Sequence, residues 1–220
     1  MDRVFSESQN PQMVIKYVGV AIERVPHGRH LGVVYRQEDE WRILHLGWHL
    51  RLYDERMPKE GSHYLWVDPE PAIDEIRLEI LAAFCRLVAQ RNVDAGLPYG
   101  FSNPKNWFDP VTGAARVTSD GMGLTCASFV LAVFSSNGLP LINEDTWMLR
   151  EDDKIYHEWI IQCLENTPEA TKEHRERLRE SLPAIRYRPE EVAGAAACDP
   201  IPADFSQCRR MGVEILGLLI

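Results

Sequence analysis

The run Gly121-Met122-Gly123-Leu124-Thr125-Cys126-Ala127-Ser128-Phe129-Val130-Leu131-Ala132-Val133-Phe134-Ser135-Ser136-Asn137-Gly138 places two glycines ahead of a cysteine and an apolar stretch behind it. Phe129, Val130, Val133 and Phe134 recur at the spacing of one buried helix face. Gly138 can close that helix in a left-handed conformation, and Pro140 forbids its resumption. Cys126 therefore falls at a helix N-terminus, where free N–H groups and the positive end of the helix dipole favour the thiolate, the nucleophilic form of cysteine. Taken alone, a cysteine so placed reads first as a small buried hydrophobe at the start of a core helix. A neighbouring base would change that reading.

Two histidines upstream supply candidates. Arg29-His30-Leu31-Gly32-Val33-Val34-Tyr35-Arg36 and Trp41-Arg42-Ile43-Leu44-His45-Leu46-Gly47-Trp48 flank the polar Gln37-Glu38-Asp39-Glu40 and read as a β-hairpin. With an even-length connection, Arg36 opposes Trp41, Val34 opposes Ile43 and Gly32 opposes His45. His30 then shares a face with His45 on the diagonal, about 7–8 Å away backbone to backbone, close enough for the rings to interact. An odd loop length or a bulge would send the two to opposite faces. Gly32 and Gly47 lie beside them, and a face of two histidines and two glycines is a poor core and a suitable catalytic floor. His27 and His49 are near in sequence, but no pair sits on a helix with an adjacent acid, so no metal and no cofactor are expected.

Around these motifs the chain divides coarsely. Residues 1–11 read as a tail, and Met13 to Val25 as a strand between Pro11 and Pro26. His63 to Asp68 is a further strand, and a helix follows to about Asn92 with Ile73, Ile76, Ile80, Leu81, Phe84, Leu87 and Val88 as its apolar stripe and Cys85 on or beside it. From Gly96 to Gly123 the chain is a loop rich in Pro, Gly and aromatics, suited to walling a cleft. Glu151 to Leu164 and Glu169 to Leu182 are helical, the second closed by Pro183. One domain over 12–183 is expected, leaving 184–220 as an extension of unassigned role.

Composition narrows the classes of function. A chain of 220 residues with 45% hydrophobic content can bury a full core. Thirty-three acidic residues against 24 Lys and Arg give a net charge of -9, which argues against nucleic acid or an anionic membrane as the main partner. The five cysteines, Cys85, Cys126, Cys163, Cys198 and Cys208, form no C-x-x-C pair, so neither a disulfide framework nor a structural zinc site is expected. That pattern fits a reducing, cytoplasmic compartment. No apolar run is long enough to span a bilayer, and the N-terminal residues do not resemble a signal peptide.

Gly123-Leu124-Thr125-Cys126-Ala127-Ser128-Phe129-Val130, followed by Gly138-Leu139-Pro140, resembles the cysteine helix of NlpC-type papain-like hydrolases. Pro98-Tyr99-Gly100 is similar to the tyrosine-and-glycine segment that precedes it in that family. His30-Leu31-Gly32-Val33-Val34-Tyr35 resembles the family's histidine strand, and Leu44-His45-Leu46 the strand that supplies the third polar residue. The histidine strands precede the cysteine helix here, the order of the circularly permuted branch that includes the lecithin:retinol acyltransferase-like proteins. Thr125 departs from the family's Asp or Asn, Ala127-Ser128 departs from its Ser-Gly or Glu-His, and the membrane anchor usual in the acyltransferase branch is not found.

The resemblance implies an α+β, papain-like fold with an antiparallel sheet that carries the histidines against the cysteine helix. It implies a cysteine hydrolase acting on an amide or peptide bond through a thioester, with Cys126 as nucleophile, His30 as base and His45 as its orienter. Acyl transfer or deacylation on a lipid or acylated protein is the alternative, and a catalytically silent binding module on the same fold is a second.

Overall fold

The hairpin that carries the histidines lies at the middle of a six-stranded antiparallel sheet. The computed structural model describes residues 3–5, 14–57, 63–70, 72–117 and 119–219. Its strands are β1 (Val4–Phe5), β2 (Val18–Val25), β3 (Gly28–Gln37), β4 (Glu40–Trp48), β5 (Arg51–Met57) and β6 (Tyr64–Val67), in the spatial order β1-β6-β2-β3-β4-β5. The helices are α1 (Glu75–Asn92), α2 (Cys126–Ser136), α3 (Asp153–Glu165), α4 (Lys172–Glu180), α5 (Pro189–Ala196) and α6 (Phe205–Leu216). The chain is thus a mixed α+β protein.

The β3–β4 connection is tighter than its four polar residues suggest. Gln37 pairs with Glu40, and Glu38, at φ 55, takes the left-handed turn position. The loop length stays even, so Arg36 opposes Trp41 and Val34 opposes Ile43. Strand alternation then sorts the side chains. Leu31, Val33, Tyr35, Leu44 and Leu46 join α1 and α2 in the main core, while Val34, Trp41 and Ile43 meet Ala21, Tyr64 and Trp66 on the other face.

Helix α2 is buried along nearly its whole length, with Phe129, Val130, Val133 and Phe134 wholly inaccessible. Gly138, at φ 76, ends it as expected. In α1 the buried arc runs through Leu78, Leu81, Cys85 and Val88, whereas Ile76 and Ile80, assigned to the apolar stripe from sequence, are 70% and 53% exposed on the far side. Apolar identity at the right spacing did not separate two faces that both carry isoleucine and leucine.

Four elements lie where the sequence suggested none. Within the expected tail, Val4 and Phe5 pair with Val67 and Trp66 as an edge strand; residues 6–11 lie outside the described ones. The charged β5 forms the opposite edge, tied to β4 by Arg42 Nε on Asp54 at 2.9 and 3.0 Å and by Arg56 on Glu40. Residues 184–219 are no appendage. Val192, Ala193, Ala195 and Ala196 of α5 are inaccessible in the main core, against β2, β3 and α2. Small residues allow α6 to cross α5 closely: a Cβ on Gly194 would lie 2.5 Å from Cys208 O, and one on Gly212 2.8 Å from Glu190 O.

Candidate active site

Cys126 is the first residue of α2, presented by two local devices. Thr125 is the N-cap: its Oγ1 accepts from Ser128 N–H at 3.2 Å, and Ser128 Oγ accepts from Thr125 N–H at 2.8 Å. Threonine thus does the capping work that an aspartate or asparagine could do. Ahead of it, Leu124 N–H donates to Pro98 O at 3.0 Å and Gly100 N–H to Leu124 O at 3.2 Å, so the loop strand 98–100 runs beside the approach to the cysteine. A Cβ on Gly123 would fall 2.5 Å from Gly100 N and Tyr99 C. Tyr99 is held in turn by two buried histidines, its N–H donating to His49 Nδ1 at 3.2 Å and its carbonyl accepting from His174 Nε2 at 2.9 Å. His49 is therefore a loop anchor.

Burial works against the thiolate that the helix start favours. Cys126 is 7% exposed, and burial pushes its thiol up to about 11, against the opposing pull of the Leu31, Ala127 and Cys126 backbone N–H groups and of Arg186. Desolvation of the charged form outweighs the helix terminus.

His30 and His45 meet as the register requires, with Nε2 of the first and Nδ1 of the second 2.7 Å apart and the rings edge to face at 4.8 Å. Gly32 and Gly47 make the room: a Cβ on Gly32 would lie 3.0 Å from His45 Cβ, and one on Gly47 2.6 Å from the Tyr53 ring, which itself packs 5.3 Å from the His45 ring. Beyond His45 stands Glu55 of β5, its Oε2 3.2 Å from His45 Nε2. A carboxylate there accepts, so His45 carries a proton on Nε2; with His45 neutral, its Nδ1 accepts and His30 donates from Nε2. His30 Nδ1 is then the unprotonated nitrogen. Burial, with a smaller contribution from His45, holds His30 down to about 3, opposed by Glu55. Glu55 escaped sequence reading because β5 did; in register His45 opposes Tyr53, and the period of two puts Glu55 on the same face.

Cys126 and His30 line one cleft of about 540 Å³, with His45 behind His30. They reach it from different sides of the sheet. Alternation puts the histidines on the Val34–Ile43 face, whereas α2 packs on the Leu31–Leu44 face. Main-chain pairing of β3 with β4 extends from Gln37–Glu40 to Val33–Leu44, and the cleft lies at the end of β3 beyond it, where the thiol meets the Leu31 N–H. At rest each group has another partner: His30 bonds to His45, and Cys126 faces backbone N–H groups.

The remaining walls are aromatic. Trp48 packs at 4.6 Å from Tyr99, and Tyr156 lies 6.0 Å from Trp159. Tyr156 also stacks under Arg186, whose guanidinium carbon is 3.6 Å from the ring centre. Among the described residues, no three His, Cys, Asp or Glu side chains are grouped to hold a metal ion. The five cysteines are all free thiols, and no described helix is long and apolar enough to cross a membrane. Comparison with protein families, curated proteins and solved structures finds no match to this chain.

Proposed function

We propose that this protein is a cysteine hydrolase of papain-like type that cleaves an amide or peptide bond, acting in the cytoplasm. The observation that carries the reading is the relay His30–His45–Glu55, at 2.7 and 3.2 Å, ending in the cleft that also exposes Cys126. Both groups start neutral, so the thiol proton passes to His30 Nδ1 as Sγ attacks the carbonyl carbon. The imidazolium formed is stabilised through His45 by the Glu55 carboxylate. Ser128 N–H is taken by Thr125, which leaves the Cys126 and Ala127 N–H groups at the start of α2 as donors to the oxyanion. Collapse expels the amine with the His30 proton and leaves a thioester that water resolves.

The aromatic walls favour a second reading, in which the acyl group is apolar and the reaction is thioester hydrolysis or acyl transfer. Turnover of matched amide, ester and acyl-thioester substrates separates the two. On either reading Cys126→Ala and His30→Ala abolish turnover, and Glu55→Gln costs about 10- to 100-fold in kcat, with partial recovery in Glu55→Asp. Turnover that survives in Cys126→Ala would refute both. A fold retained with no turnover on any of the three substrate classes would favour the silent binding module.

A further inference from the structure

The cleft wall carries three formally charged side chains, Arg29, Arg186 and Glu190. Two of them are paired, Arg29 Nη1 lying 3.6 Å from Glu190 Oε1. Arg186, in the connection from α4 to α5, is half-buried and stacked on Tyr156. The acids that act on it are Asp153 and Glu190, and neither makes an ion pair with it: Asp153 pairs with Arg150 at 3.2 Å and Arg188 at 3.4 Å, and Glu190 pairs through Oε1 with Arg29, its Oε2 having no hydrogen-bond partner. Among the described residues, no carboxylate makes an ion pair with Arg186. Its loop is fixed nonetheless, the Arg186 carbonyl accepting from Arg150 Nη2 at 2.7 Å and the next residue, Tyr187, packing 5.0 Å from Trp147.

A guanidinium taken from water without a counter-ion is costly to the protein, and burial lowers the pKa of this one. The planar fork of an arginine also matches a carboxylate in two-point contact. Arg186 is close enough to Cys126 to pull its thiol pKa down. Resting on the hydrolase reading, we propose that Arg186 is the specificity-determining residue of this cleft, and that it receives a carboxylate borne by the substrate beside the bond Cys126 attacks. The substrates would then be acidic: amides or acyl compounds carrying a carboxylate next to the reacting carbonyl.

Two alkylating reagents of nearly equal size test this without knowledge of the substrate. Iodoacetate is anionic and iodoacetamide neutral, and each forms the same carbon–sulfur bond with loss of iodide. The quantity measured is the ratio of their rates at Cys126, read by peptide mass spectrometry at one alkaline pH, with 2-mercaptoethanol as the reference thiol. Wild type should exceed the reference ratio by about tenfold, the strength of a charge-assisted contact. Arg186→Met, which keeps length and the Tyr156 contact, should return the ratio to the reference, and Arg186→Lys should retain part of the excess. Equal ratios in wild type and Arg186→Met, or a Cys126 that neither reagent modifies in the folded protein, would overturn the proposal. No Arg186 effect on the ratio, with turnover still abolished by His30→Ala, would overturn this proposal and leave the hydrolase reading standing. An Arg186 effect on the ratio in a protein whose turnover survives His30→Ala would uphold the anion contact and overturn His30 as the base that serves Cys126.

Discussion

At Cys126 two effects act on one sulfur. The start of a helix is worth about 0.3–1 kcal/mol to an anion, whereas a rise to about 11 from the ordinary thiol value corresponds to roughly 3 kcal/mol against it. Burial therefore decides the resting state. The same holds for His30, which burial holds down to about 3 and so keeps neutral around pH 7. The sign of the pH dependence follows: the thiolate fraction of Cys126 grows through pH 9 toward 11, so iodoacetamide alkylation should keep accelerating over that range. A rate already level below pH 7 would mean a preformed thiolate–imidazolium pair and would contradict this description of the resting site. At this scale much was readable from sequence. Cys126 follows from its place before a helix, and the His30–His45 contact from hairpin parity. Burial at a site formed by distant segments is not written in local sequence, so the resting protonation states were not legible there.

Among the elements, α2 and the β3–β4 hairpin were readable because each carries its own punctuation: Gly138 and Pro140 for the helix, a polar turn between apolar runs for the hairpin. Strand β5 lacks such a signal. Its Arg51-Leu52-Tyr53-Asp54-Glu55-Arg56-Met57 is stabilised by cross-strand ion pairs and gains its place from β4. Glu55 was lost with it. The segment before α2 makes a measurable prediction. At Gly123 an added methyl would press on Gly100 and Tyr99 backbone, while at Gly138 nothing lies within 4 Å and only the left-handed conformation, φ 76, is at stake. Gly123→Ala should therefore cost about 2–4 kcal/mol in denaturant unfolding, against about 1 kcal/mol for Gly138→Ala. Equal costs at the two positions would show that the 98–100 segment does not pack against the cysteine's approach as described.

Across the whole molecule, the C-terminal residues complete both the core and the cleft. The alanines of α5 are wholly buried because α6 crosses them closely, a relation between two short helices that composition alone does not reveal. Arg3 binds the carbonyl of Cys198 at 3.2 Å, tying the first strand to the end of α5. Arg186, Tyr187 and Glu190 then form the wall facing Cys126. The described strands and helices thus bring one thiol, one imidazole and one guanidinium without an ion-pair partner to a shared cleft. The most direct test of that convergence is to trap an acyl-enzyme. After brief exposure to p-nitrophenyl acetate and acid quenching, peptide mass spectrometry should find an acetyl thioester on Cys126 formed ahead of any on the half-exposed Cys163, and the Cys126 adduct should be lost in His30→Ala. Acetylation confined to Cys163, or Cys126 labelled equally in wild type and His30→Ala, would contradict a nucleophile served by that base.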